Sequence, residues 1–442
     1  LRLLIGLMWL ALCLAWAVWL WRPARPGGVL PPYRRRAVPW TGAEVLLALM
    51  LAELLWPSFL AQGLRASGFL GWVYGPEFQA GFVAGKLKGP DTTRVSLWLS
   101  DLTLPLSLLS IVGLFHLLSG TRPYQLGLTV GRLGKYVLVG VVTTVCVVPL
   151  VYMILALATW LVRHETGGAP EEHPLTQLIQ SHPPPIDFIV GGLSALVAAP
   201  LLEELLFRGI IQPWFRVRSW GGYVGIGGAL CLALGRRWSG LQAGWPENSW
   251  QGVWPQLLPA AFVVVMVPGY LLVRAKLPPA VGAVYATSLL FAAAHSFAWP
   301  SPVPLFFFAL ALGALRYRTQ SLVPSVVVHG LFNAVAWALL LIQPADRPEK
   351  GTDATHARAR VELTSTSSAV PGSVLPRRTY ASAIVAPSAG EYTEDVTCPA
   401  SLPSCHSFAA AGTGSVPSTR NPVSTRLTWP RSRRRTIGSC PR

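Results

Sequence analysis

Ionisable side chains set inside long apolar runs are the residues of this sequence best placed to do chemistry. A charged group within a bilayer costs several kcal/mol, so each one needs a reason to be there. Three places stand out, all in the second half of the apolar region. The first is Pro200-Leu-Leu-Glu203-Glu204-Leu-Leu-Phe207-Arg208. Adjacent carboxylates on a helix point about 100° apart, so the two serve different partners. Glu204 and Arg208 stand at i,i+4 in the favourable order and are expected to form an intrahelical ion pair. Glu203 is then left to face something else, and Pro200 loosens the turn before it. The plainer reading of the same spacing is a helix end at the interface carrying a solvated pair.

The second place is Phe291-Ala-Ala-Ala-His295, where Phe and His share one helical face and the alanines allow close helix approach. The third is His329-Gly-Leu-Phe-Asn333, a donor-capable pair one turn apart. Each has a structural alternative: a hydrogen-bonded lone histidine in one case, an interhelical His/Asn packing pair in the other.

The elements that must position these residues are read from composition. Of 442 residues, 52% are hydrophobic and 12% charged, against about 25% charged in a soluble domain. The mean hydropathy is +0.46 and there are 18 Trp, so a single soluble globular enzyme is excluded. The net charge of +17 sits in short clusters between apolar runs, as in a membrane protein, and no nucleic-acid partner is expected. Six cysteines without a CxxC exclude zinc ribbons and thioredoxin-type chemistry. A membrane-crossing helix needs roughly 20 apolar residues. Candidates are Leu3–Leu20, Val45–Leu60, Leu97–Leu118, Tyr136–Val162, Phe188–Ile211, Val253–Val273, Val281–Trp299, Pro302–Leu315 and Leu322–Ile342, with Tyr223–Leu234 as a short span or half-buried segment. Leu3–Leu20 reads as an anchor rather than a removed signal. The chain begins at Leu1, as a fragment or an alternative start would.

The expected fold is therefore all-α, a polytopic integral membrane bundle of eight to ten transmembrane helices. Residues 1–165 are expected to form N-terminal helices and loops, residues 186–342 a core, and residues 343–442 a disordered tail rich in Ser, Thr, Pro and Arg. The loop holding Arg22, Arg25, Arg34, Arg35 and Arg36, and that holding Arg122, Arg132 and Lys135, are assigned to the cytoplasm. The loop with Glu165, Glu171 and Glu172 is assigned to the outside.

In order, the three motifs read EExxxR, FxxxH and HxxxN. This resembles the CPBP family of intramembrane proteases, which includes the type II CAAX prenyl endopeptidases and bacteriocin-processing enzymes. The resemblance rests on Glu203, Glu204, Arg208, Phe291, His295, His329 and Asn333. It extends to Glu203-Glu-Leu-Leu-Phe-Arg-Gly-Ile-Ile-Gln-Pro, Leu312-Gly313 and Arg318-Thr-Gln-Ser-Leu, between about Ile186 and Leu341. The sequence departs from the pattern in a long stretch between the first two motifs, holding Trp238, Trp245, Trp250 and Trp254.

The resemblance implies an intramembrane endopeptidase acting on a membrane-associated or prenylated protein near the cytoplasmic face. Glu203 would be general base, activating water together with His295. His329 and Asn333 would stabilise the oxyanion, Glu204 and Arg208 would hold their helix, and Phe291 would pack beside the site. A zinc-dependent version with Glu203, His295 and His329 as ligands is the alternative. No HExxH occurs, and hydrolysis without a metal cofactor is the expectation. A catalytically silent scaffold or regulator of the same fold, and a transporter, are the competing classes. The retained site residues argue against the first, and the lack of matching broken-helix halves argues against the second. With no organelle signal recognisable, a bacterial plasma membrane is the expected setting.

Overall fold

The computed structural model describes residues 2–21, 37–166, 173–181, 183–238, 241 and 250–342. The tail from residue 343, the arginines at 22–36, Glu171, Glu172 and Trp245 lie outside the described residues. All described residues belong to one unit, Leu1–His356.

Among them there is no strand. Ten longer helices carry the fold: α1 Arg2–Trp21, α2 Gly42–Ser67, α3 Pro90–Ser119, α4 Leu133–Thr166, α5 Pro185–Val217, α6 Gly221–Gly235, α7 Trp250–Lys276, α8 Pro279–Ala294, α9 Pro302–Thr319 and α10 Val323–Ile342. Six of these (α2, α3, α4, α5, α7 and α10) are long and apolar enough to cross a membrane. The shorter apolar helices α6 and α8, and Trp9–Val18 within α1, stand beside them. The protein is an integral membrane helix bundle. α8 packs between α6 and α9, and α4 against α10 and α9. The α4–α10 approach requires a glycine, because a Cβ at Gly140 would stand 2.8 Å from Val327 and 3.0 Å from the carbonyl of Pro324.

Two spans are interrupted by π-turns, and all three turns have one cause. They cover Leu51–Leu55 in α2, and Ser194–Ala198 and Glu204–Ile211 in α5. Each is followed by a residue that precedes proline: Trp56-Pro57, Ala199-Pro200 and Gln212-Pro213. In each, the N–H before the proline bonds five residues back: Trp56 to Leu51, Ala199 to Ser194, Gln212 to Phe207. Proline has no N–H and its ring crowds the carbonyl four residues earlier, so the helix widens by one residue instead of breaking.

Loops at one end are tied together. Leu322 N–H donates to Gly127 O, Arg316 Nη2 to Gln125 O, and Arg274 lies over the Tyr223 ring. This end holds Arg122, Arg132, Lys135, Arg216, Arg218, Arg274, Lys276, Arg316 and Arg318, against Arg65, Lys86, Lys88, Arg94, Arg163, Arg236 and Arg237 toward the other. At the other end Asp187, at the start of α5, accepts from Tyr74 Oη (2.6 Å) and Arg94 Nε (2.7 Å), latching α3 and the short helix Phe69–Tyr74 to α5.

Two expectations are corrected. Ionisable groups are not confined to the second half: Glu53 stands in the π-turn of α2 and Asp101 in α3. Nor is Val281–Trp299 one helix. α8 ends at Ala294, so His295 is its C-terminal cap, and a turn carries the chain over to α9. The alanine run conceals this helix end, because alanine is as good in a last turn as in a middle one.

Candidate active site

The α5 π-turn presents the adjacent carboxylates to different surroundings. Glu204 is fully buried, with its Oε1 2.9 Å from Arg208 Nη1 and 3.1 Å from His329 Nδ1. Arg208 is 1% exposed, and its guanidinium lies over the ring of Phe291, 4.3 Å from the centroid. Phe291 thus does more than pack beside the site. Its π-face takes the part of the Arg208 charge that Glu204 does not meet. Glu203 is partly exposed, and its Oε2 lies 3.9 Å from His329 Nε2. His329 therefore stands between the two acids, one nitrogen toward each. Phe291 and Phe308 pack edge-on against its ring.

His295 directs Nδ1 to the carbonyl of Phe291 at 2.9 Å, which makes Nδ1 the protonated nitrogen and leaves Nε2 with a free lone pair. Asn333 Nδ2 donates to Ala195 O at 2.7 Å. That carbonyl is otherwise stranded. The N–H of Ala199 bonds to Ser194, and the next residue on, Pro200, has no N–H to give. Asn333 fills the vacancy from α10. Next to it, Gly330 lets the helices close, since a Cβ there would stand 3.0 Å from Leu196 O.

Glu203, His295, His329 and Asn333 all line one cavity of about 1510 Å³. Its walls are mainly apolar. They run from Gly42, Trp214 and Trp220 near the end that holds Arg216 and Arg218 to His173, Phe297 and Trp337 toward the other. Three further residues with acidic or basic side chains line it that the motifs do not contain: Glu53 of α2, Arg236 just after α6, and His173 ahead of the short helix Pro174–Gln180. The signal for Glu53 is a solitary acid within an apolar run, and nothing in the sequence marks His173. The His173 ring is open to the cavity while the chain encloses it on most sides. That enclosure, with repulsion from His295 when the latter is protonated, pushes its imidazole down to about 4.

Both motif histidines have the Nδ1-anchored, Nε2-free arrangement of metal ligands. Yet among the described residues no three His, Cys, Asp or Glu side chains converge closely enough to hold an ion. What the arrangement offers is an acceptor carboxylate, Glu203, whose Oε2 has no hydrogen-bond partner and faces an imidazole nitrogen across 3.9 Å, too long for a direct hydrogen bond.

Residues 185–283 and 265–335 match the family model described as type II CAAX prenyl endopeptidase Rce1-like, roughly a third of the chain. The matched span contains all seven motif residues and excludes α2 with Glu53. No curated protein and no solved structure matches the chain.

Proposed function

We propose, from the similarity of residues 185–335 to the type II CAAX prenyl endopeptidases, that this chain is an intramembrane endopeptidase hydrolysing a peptide bond of a membrane-associated or lipidated protein. The observation that carries the reading is the 3.9 Å separation of Glu203 Oε2 and His329 Nε2 on the wall of the cavity. A water molecule seated in that gap can lose its proton to Glu203 as it attacks, and the same carboxyl can return the proton to the leaving amine. His295 Nε2 faces the cavity as a second acceptor that helps orient the water.

The role of His329 follows from its partners. Nδ1–H donates to Glu204, so a neutral ring has no N–H left for the cavity. To stabilise the oxyanion it must act as the imidazolium, donating from Nε2, with the buried Glu204 carboxylate as its counter-ion. Glu204 is therefore a positioning residue for His329 as well as the partner of Arg208. Asn333 spends one N–H on Ala195, so its contribution to the oxyanion is limited to the other. The four side chains act on a scissile bond without calling on a metal.

The test is cleavage of lipid-anchored quenched-fluorescent peptides by purified, reconstituted protein. Glu203→Gln is expected to lose turnover by about 100-fold or more while keeping the thermal unfolding midpoint of wild type. EDTA is expected to leave turnover unchanged. Loss on chelation that zinc restores would overturn the metal-free mechanism. Full activity in Glu203→Gln would overturn the assignment of the base.

A further inference from the structure

The N-terminal part of the chain, which the family match leaves out, supplies a charged wall to the cavity. Glu53 lies near the middle of the α2 span, on the π-turn that Pro57 imposes, and its side chain is exposed. It takes no hydrogen bond or ion pair among the described residues. The charges nearest to it are those of Glu203 and Arg236, which line the same cavity. Arg236 has no hydrogen-bond or ion-pair partner among the described residues either. The protein carries +17 overall. Apart from the imidazoles of His173, His295 and His329, however, the charged lining of the cavity is two carboxylates against one guanidinium. A carboxylate at that depth, facing a mainly apolar space with no hydrogen bond or ion pair and only the charge of Arg236 to favour it, gains from a cation brought into direct contact.

We propose that Glu53 is a specificity residue of this site, and that it selects substrates carrying a Lys or Arg side chain beside the scissile bond. This inference rests on the peptidase reading above and adds to it the charge of the substrate. The cationic side chain would lay its methylene stem along the apolar wall and set its charged head against Glu53, which leaves Glu203 to its water. Arg236 sets the opposite preference at its own position: it tolerates an acidic residue there and repels a basic one.

The experiment uses three lipid-anchored peptides that differ only in having Lys, Gln or Glu flanking the scissile bond. Wild type is expected to show kcat/KM about tenfold higher for Lys than for Gln, with Glu lower again. In Glu53→Gln the three should become equal, with the change falling on KM. Glu53→Asp should keep the order, and Glu53→Lys should invert it. Equal cleavage of the three peptides by wild type would overturn the proposal. So would a loss of kcat in Glu53→Gln shared equally by all three, which would place Glu53 in the proton chemistry instead. If wild type cleaves none of them, the peptidase reading fails, and binding of the same peptides to wild type still decides this one. Tightest binding of the Lys peptide supports it, and equal binding overturns it.

Discussion

Glu204 and Arg208 form a buried ion pair with two unequal supports. The carboxylate is shared with His329, and the guanidinium is shared with the face of Phe291. Removing one member of such a pair leaves the other charged and dry, typically at a cost of about 3–5 kcal/mol. Arg208→Ala is therefore expected to lower folded yield and the unfolding midpoint in detergent, and Glu204→Gln in the same chain should recover part of the loss. Normal yield of the single variant would remove the structural assignment of Arg208. Phe291→Leu keeps an apolar side chain but removes the π-face and some volume, so it should cost less than Arg208→Ala and more than an ordinary apolar exchange. The i,i+4 order of Glu204 and Arg208 makes their pairing legible in the sequence. That Phe291, on another helix, completes the pair is not legible, because a three-body contact across helices leaves no periodic trace.

At the scale of the element, proline governs α2 and α5. Pro57, Pro200 and Pro213 each turn an α-helix into a π-turn, and these turns contain, or directly adjoin, Glu53, Glu203 and Glu204. A π-turn rotates the residues that follow it by an extra step, which is how one apolar helix can aim a carboxylate inward. The tie from Asn333 to Ala195 is the counterpart, filling a carbonyl that the π-turn and Pro200 leave without a donor. Asn333→Ala should lower stability by about 1–3 kcal/mol, the cost of a buried unpaired carbonyl. Pro200→Ala returns an N–H to that position, so the same Asn333→Ala exchange should cost less in its presence. A double-mutant cycle read by denaturation reports the difference, and identical costs in both backgrounds would refute the link. The sequence identifies Pro200 as a loosened turn and Asn333 as a donor, but not that one serves the other. Glu53 escapes motif reading because a lone acid in an apolar run has no neighbour of matching spacing to mark it. The end of α8 at Ala294 is hidden in a run of alanines.

For the molecule as a whole, the distribution of charge connects topology to pH response. His173 enters the cavity from the end of the bundle opposite Arg122, Lys135 and Arg316, over Phe297 and toward His295. Nδ1 of His173 accepts the N–H of Leu175 at 3.2 Å, capping the short helix Pro174–Gln180, and a proton on that nitrogen would cancel the cap. Enclosure, with repulsion from His295 when the latter is protonated, holds the imidazole at about 4, below its ordinary 6.5. Between those two values the unfolded chain binds more protons at this position than the folded one, so this residue makes stability rise with pH across the window and adds no slope above it. Acidification through the window should first loosen the start of the segment from His173 to Gln180, seen as faster amide exchange there, because its cap depends on that nitrogen while Leu178 stays packed against Leu97 and Val190. His173→Asn retains a capping acceptor and cannot titrate, so it should flatten both the exchange and the unfolding midpoint over the same range. An unchanged slope in that variant would assign the acid sensitivity to the carboxylates of the cavity instead.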